Sequence, residues 1–126
     1  KSLKEIKKRV KELKRVAIES AMKVIEKAVR AELKKPTGEL TKADYENVTE
    51  LYLVNKQLTH VKGLEKVTQL KTLHLGDNKL TDVKGLEKLT QLTYLSLHDN
   101  LALTKAQIDQ LQKVLPKCYI GSNPKK

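Results

Sequence analysis

The chain has 126 residues, 33% of them charged, and a formal net charge of +11. That length holds one modest core. A single cysteine, Cys118, excludes an internal disulfide framework, and no apolar run reaches the roughly 20 residues of a bilayer-spanning helix. The positive excess predicts attraction to anionic surfaces at low salt. A first residue of Lys1, with neither Met nor an apolar signal segment, is expected of a trimmed or engineered chain and leaves the compartment unread.

Residues 1–35 contain no Gly or Pro, and Leu3, Ile6, Val10, Leu13 and Ala17 step by three and four, the stripe of an amphipathic helix. From Val16 the apolar face widens through Ile18, Ala21, Met22, Ile25 and Val29. Pro36 and Gly38 are expected to end the helix, because Pro lacks an amide proton and Gly tolerates positive φ. This segment holds 13 Lys and Arg against 5 Glu, so it carries +8 of the net +11. The chain therefore divides into a basic amphipathic helix and cap, residues 1–38, and a second region, residues 39–126.

The second region repeats itself. "LTHVKGLEKVTQLKTL" (58–73) returns as "LTDVKGLEKLTQLTYL" (80–95), 22 residues later. Leu70, Leu73, Leu75, Asn78 and Leu80 fill the pattern LxxLxLxxNxL, and Leu92, Leu95, Leu97 and Asn100 fill its first nine positions. An earlier copy, Val48, Leu51, Leu53 and Leu58, has Lys56 in the asparagine slot, which is expected to loosen it. A later copy is aligned as Leu115, Cys118, Ile120 and Asn123. Alternation at LxL marks a short strand buried on one side, and a fixed period stacks such strands into a parallel ladder. Val61, Leu64 and Val67, then Val83, Leu86 and Leu89, are expected to close the opposite wall, with Gly63 and Gly85 bending the backbone. Thr104 and Gln107 form a capping-box pattern before "KAQIDQLQKVL", a C-terminal helix that Pro116 ends.

This pattern resembles the leucine-rich repeat, in the 22-residue bacterial form of internalin-like proteins, over about residues 40–124. The resemblance implies an α/β fold: a short solenoid with a parallel sheet, a long N-terminal helical cap and a C-terminal capping helix. It also implies that a protein partner docks on the concave sheet face.

Aligning the four copies assigns the outward residues of that face. Glu50, Thr72, Tyr94 and Lys117 form one row, and Tyr52, His74, Ser96 and Tyr119 the next. Val54, Gly76, His98 and Gly121 follow, then Asn55, Asp77, Asp99 and Ser122. Three of the four tyrosines fall here, and tyrosine brings large contact area with little entropy to lose. The expected protein-binding residues are thus Glu50, Tyr52, His74, Asp77, Tyr94, His98, Asp99, Lys117 and Tyr119. The competing reading is that Tyr simply favours strands and pairs across them.

Catalytic and metal chemistry find less support. His74, His98, Asp77 and Asp99 show no recurrent ligand spacing, so no metal or cofactor is expected. Ser96 neighbours His74, but no oxyanion element is readable, and no enzyme activity is expected. Cys118 occupies a leucine position, which predicts an inert buried thiol. The helix supplies the alternative function. A straight helix of 34 residues runs about 50 Å, longer than four stacked coils at about 4.8 Å each, so the front is expected to project. Its seam, Leu3, Ile6, Val10 and Leu13, then faces its own copy in a homo-oligomer, a groove on another protein, or an anionic membrane surface. Nucleic acid is disfavoured, because no recognition motif accompanies the charge. An idealised solubilising extension on an engineered repeat scaffold accounts for the same composition.

Overall fold

The computed structural model describes residues 2–122. In chain order the elements are α1 (Leu3–Leu33), α2 (Lys42–Glu46), β1 (Glu50–Tyr52), β2 (Thr72–His74), β3 (Tyr94–Ser96), α3 (Lys105–Val114) and β4 (Tyr119–Gly121). The four strands form one parallel sheet in the order β1-β2-β3-β4, so each coil lies against the one before it.

The first two coils close the same way. Leu51, Leu73 and Leu95 pair in register on the inner side of the sheet, and all are fully buried. The chain returns through 3-10 turns at Leu64–Lys66 and Leu86–Lys88, which bury Leu64 and Leu86 in the same core as the strand leucines. Gly63 and Gly85 precede these turns at φ 106°, a left-handed conformation that an L side chain would strain.

Asn78 locks two coils together. Its side-chain oxygen accepts from the Lys56 and Leu58 amides at 3.0 Å, and its amide donates to the Leu53 and Leu75 carbonyls at 2.8 and 2.9 Å. Asn100 repeats the arrangement, accepting from the Leu80 amide and donating to the Leu75 and Leu97 carbonyls. Each asparagine therefore serves the coil before its own. For Lys56 this means that the amides of Lys56 and Leu58 in the first coil are bonded by Asn78 of the next. Asn123, the corresponding position of the last copy, lies outside the described residues.

The ends are capped differently. α1 is one uninterrupted helix whose rear half buries Ala21, Ile25 and Val29 in the same core as the repeats, against β1. It stops before Pro36, at Lys34, whose left-handed φ of 54° turns the chain. Arg30 then ties the exit down, donating to the Lys35 and Gly38 carbonyls at 3.2 and 2.8 Å. At the other end Thr104 and Gln107 make the expected capping box, and α3 buries Leu111. Cys118 is buried, and burial raises its thiol pKa. Ile120 is only partly buried, contrary to expectation, because it sits on the last strand of the described stack.

The fourth strand also corrects the alignment. Tyr119 pairs with Tyr94, Ile120 with Leu95 and Gly121 with Ser96, a shift of two residues from the sequence rows. Tyr119 follows Tyr94 by 25 positions, whereas Tyr94 follows Thr72 by 22. The extra residues belong to α3 and to the turn after it, where the Cys118 amide donates to the Leu115 carbonyl. Gln112 braces that turn by donating to the Leu115 and Cys118 carbonyls.

Candidate functional site

The outward face of the sheet carries a continuous ladder of four rings. Tyr52 stacks on His74 with centroids 4.7 Å apart and planes 7° from parallel. His74 meets Tyr94 at 5.5 Å and 50°, and Tyr94 stacks on Tyr119 at 5.7 Å and 13°. The spacing follows from the sheet, whose strands lie about 4.8 Å apart. The geometry of each step follows from the register. Tyr52 and His74 are directly paired, as are Tyr94 and Tyr119, so their rings lie parallel. His74 pairs with Ser96 and Tyr94 with Thr72, so the His74–Tyr94 contact is diagonal and tilted.

Glu50 anchors one end. Its carboxylate accepts the Tyr52 hydroxyl at 2.6 Å and lies 3.8 Å from His74 Nε2. That hydrogen bond to the Glu50 carboxylate holds the Tyr52 phenol above its ordinary pKa. Tyr52 is 54% exposed and Tyr119 64%, large values for rings on an ordered strand, while Tyr94 and His74 are half-buried between them.

The remaining predicted residues separate from this ladder. Lys117 lies in the turn before β4 and not beside Tyr94; Tyr119 takes that place. The Ser96 hydroxyl and His98 Nδ1 are 3.1 Å apart, so the partner of Ser96 is His98 and not its row neighbour His74. The His98 ring lies over Gly121, its row neighbour in the alignment, where a Cβ would come within 2.8 Å of it. Asp77 and Asp99 sit at the exits of β2 and β3 with φ of 58° and 61°, matching Asn55 at 55°. They form the rim of the face, at a left-handed turn that Asn and Asp tolerate. Among the described residues, no group of three or more His, Cys, Asp or Glu is placed to hold a metal ion.

Leu3, Ile6, Val10 and Leu13 belong to no part of this face. They lie on the front half of α1, and all four are exposed.

Residues 68–113 match a family model described as Leucine Rich repeats, in two copies. No curated protein matches the chain. Among solved structures, the crystal structure of an internalin (InlF) from Listeria monocytogenes is similar in fold, with a TM-score of 0.50 and 20% sequence identity. The match covers 82% of this chain and 44% of that one, so the chain spans less than half the length of that protein.

Proposed function

We propose that this chain, a leucine-rich repeat protein of internalin-like fold, is a non-enzymatic protein-binding module whose partner docks on the outward sheet face. The observation that carries this reading is the ring ladder Tyr52–His74–Tyr94–Tyr119, continuous over all four strands and well exposed at both ends. Stacking already fixes the rings, so little rotamer freedom remains to be lost on binding. Rigid aromatic area of this kind is what binding hot spots are built from. Glu50 adds a carboxylate at one edge, where a basic group of a partner would meet it.

The same geometry disfavours hydrolysis. Ser96 and His98 form a hydrogen-bonded pair, but on an open sheet face, whereas catalysis gains from preorganised donors in a water-excluded setting. Strand pairing alone explains why tyrosines lie on strands; it does not require Tyr52 and Tyr119 to stay more than half exposed.

The test is a titration of any protein captured by the full chain, repeated with Tyr119→Ala and Tyr94→Ala. Docking on this face predicts a loss of at least about 1 kcal/mol in binding for each, with the melting temperature of Tyr119→Ala nearly unchanged. Undiminished binding by both variants would remove the sheet face from the reading.

A further inference from the structure

A second surface is built into the front half of α1. Residues 2–16 are exposed throughout, and Leu3, Ile6, Val10 and Leu13 are each 45–66% exposed. These are large apolar side chains on an ordered helix whose N-terminus is closed by a Ser2–Glu5 capping box. The capping makes the projecting half a defined helical end.

The direction of this stripe matters. At about 100° per residue, Leu3, Ile6, Val10 and Leu13 centre roughly 80° around the helix from Ala21, Ile25 and Val29, which face the core. Continuing the core-facing line toward the N-terminus meets Lys7, Lys11 and Lys14 instead. A further coil stacked there would bury lysines without partners, at a large desolvation cost. The stripe is therefore not the unfinished edge of the repeat stack, and its occupant approaches from the side.

The flanks of the stripe identify the occupant's charge. With Leu3, Val10 and Ala17 in the first core position of a heptad and Ile6 and Leu13 in the second, the flanking positions hold Lys7 and Lys14 on one side and Arg9 on the other. Neither glutamate of the segment lies on a flank: Glu5 closes the cap and Glu12 pairs with Arg15 on the outer side. A second copy of the chain, parallel or antiparallel, would set these cations against each other. A lipid surface fits less well, because the stripe is only about 80° wide by the same geometry. Helices that lie in bilayers present a broader apolar face, commonly with aromatic residues, and residues 2–16 contain none.

We propose that the front half of α1 docks an acidic amphipathic helix of another protein, packing Leu3, Ile6, Val10 and Leu13 along an apolar seam while Lys7, Arg9 and Lys14 pair with flanking carboxylates. The seam supplies contact area and the flanks supply selection, because like charges at these positions repel and opposite charges attract.

The experiment uses the full chain and two synthetic helical peptides with identical Leu/Ile core positions, one flanked by Glu and the other by Lys. Fluorescence anisotropy is expected to show the Glu peptide binding at least about tenfold more tightly, a difference of about 1.4 kcal/mol. Ile6→Ser combined with Val10→Ser is expected to abolish binding with the melting curve of the repeats unchanged. Lys7→Glu with Arg9→Glu and Lys14→Glu is expected to reverse the preference toward the Lys peptide. Equal affinity for both peptides overturns the proposal. So does a stable homodimer of the chain that neither peptide dissociates. Binding to phosphatidylserine vesicles with no binding of the Glu peptide overturns it in favour of a lipid surface.

Discussion

The two halves of α1 are one helix with an apolar stripe along each, yet they meet opposite fates. The rear half buries Ala21, Ile25 and Val29 to within 1–3% of complete exclusion from solvent. The front half leaves larger residues, Leu3, Ile6 and Leu13, about half exposed or more. The rear half has the wider apolar face and the front the more basic one, but helical periodicity runs through both. What separates them is the presence of β1 beside the rear half and, among the described residues, of no coil beside the front. An amphipathic stripe thus records that a helix has an apolar side; the rest of the fold determines whether this chain covers it.

The sharpest way to break that comparison is to truncate equivalent residues in the two halves. Ile25→Ala is expected to cost about 2–5 kcal/mol, in the range expected for Leu73→Ala or Leu95→Ala in the repeat core. Ile6→Ala should stay within about 0.5 kcal/mol of the parent, since alanine's higher helix propensity offsets the little packing it removes. Chemical denaturation of the purified variants measures both, and equal losses would mean that the front half is covered in solution.

A second comparison sets the first coil, with Lys56, against the second, with Asn78. Asn78→Ala leaves the Lys56 and Leu58 amides and the Leu53 and Leu75 carbonyls without their partner, so a loss of about 1–3 kcal/mol is expected. Lys56→Asn should bring no gain in melting temperature, because no earlier coil awaits its hydrogen bonds. A clear gain would show that the slot works within its own coil.

The smallest effect concerns the joint between the helix and the repeats. Lys35, just after α1, contacts Asp44 in α2 at 2.7 Å. The hydrogen bond from Lys35, helped by the Thr41 amide, holds the Asp44 carboxyl below its ordinary pKa. A depressed folded value means that this contribution is present above the unfolded aspartate pKa of about 3.9 and is lost as pH falls through the lower folded one. Asp44→Asn is therefore expected to lower the melting temperature slightly at neutral pH and to flatten its fall in acid below about pH 4.

Much of the fold is legible in the residues alone, where the signal is periodic or local. The 22-residue return aligned Glu50, Thr72 and Tyr94 in one row and Tyr52, His74 and Ser96 in the next, as the strands pair. The capping pattern at Thr104 and Gln107 placed the start of α3. Both signals depend on side-chain spacing over a few residues, which a strand or a helix end translates directly into position.

The ring ladder shows where such reasoning stops. The alignment set Lys117 beside Tyr94 because it carried the repeat pattern through the last return, and the pattern assumes that every return spans the same distance. There the return is α3, which advances about 1.5 Å per residue against about 3.3 Å for extended chain. More residues are used before the strand resumes, and Tyr119 arrives opposite Tyr94 to complete the ladder. The reach of Asn78 back to Leu53 and the nakedness of the front of α1 have the same origin. Sequence determined which residues are apolar, which alternate and which cap, because these are properties of short segments. Only the tertiary structure decided what lies beside each segment, because that depends on the distance covered by chain far from it in sequence.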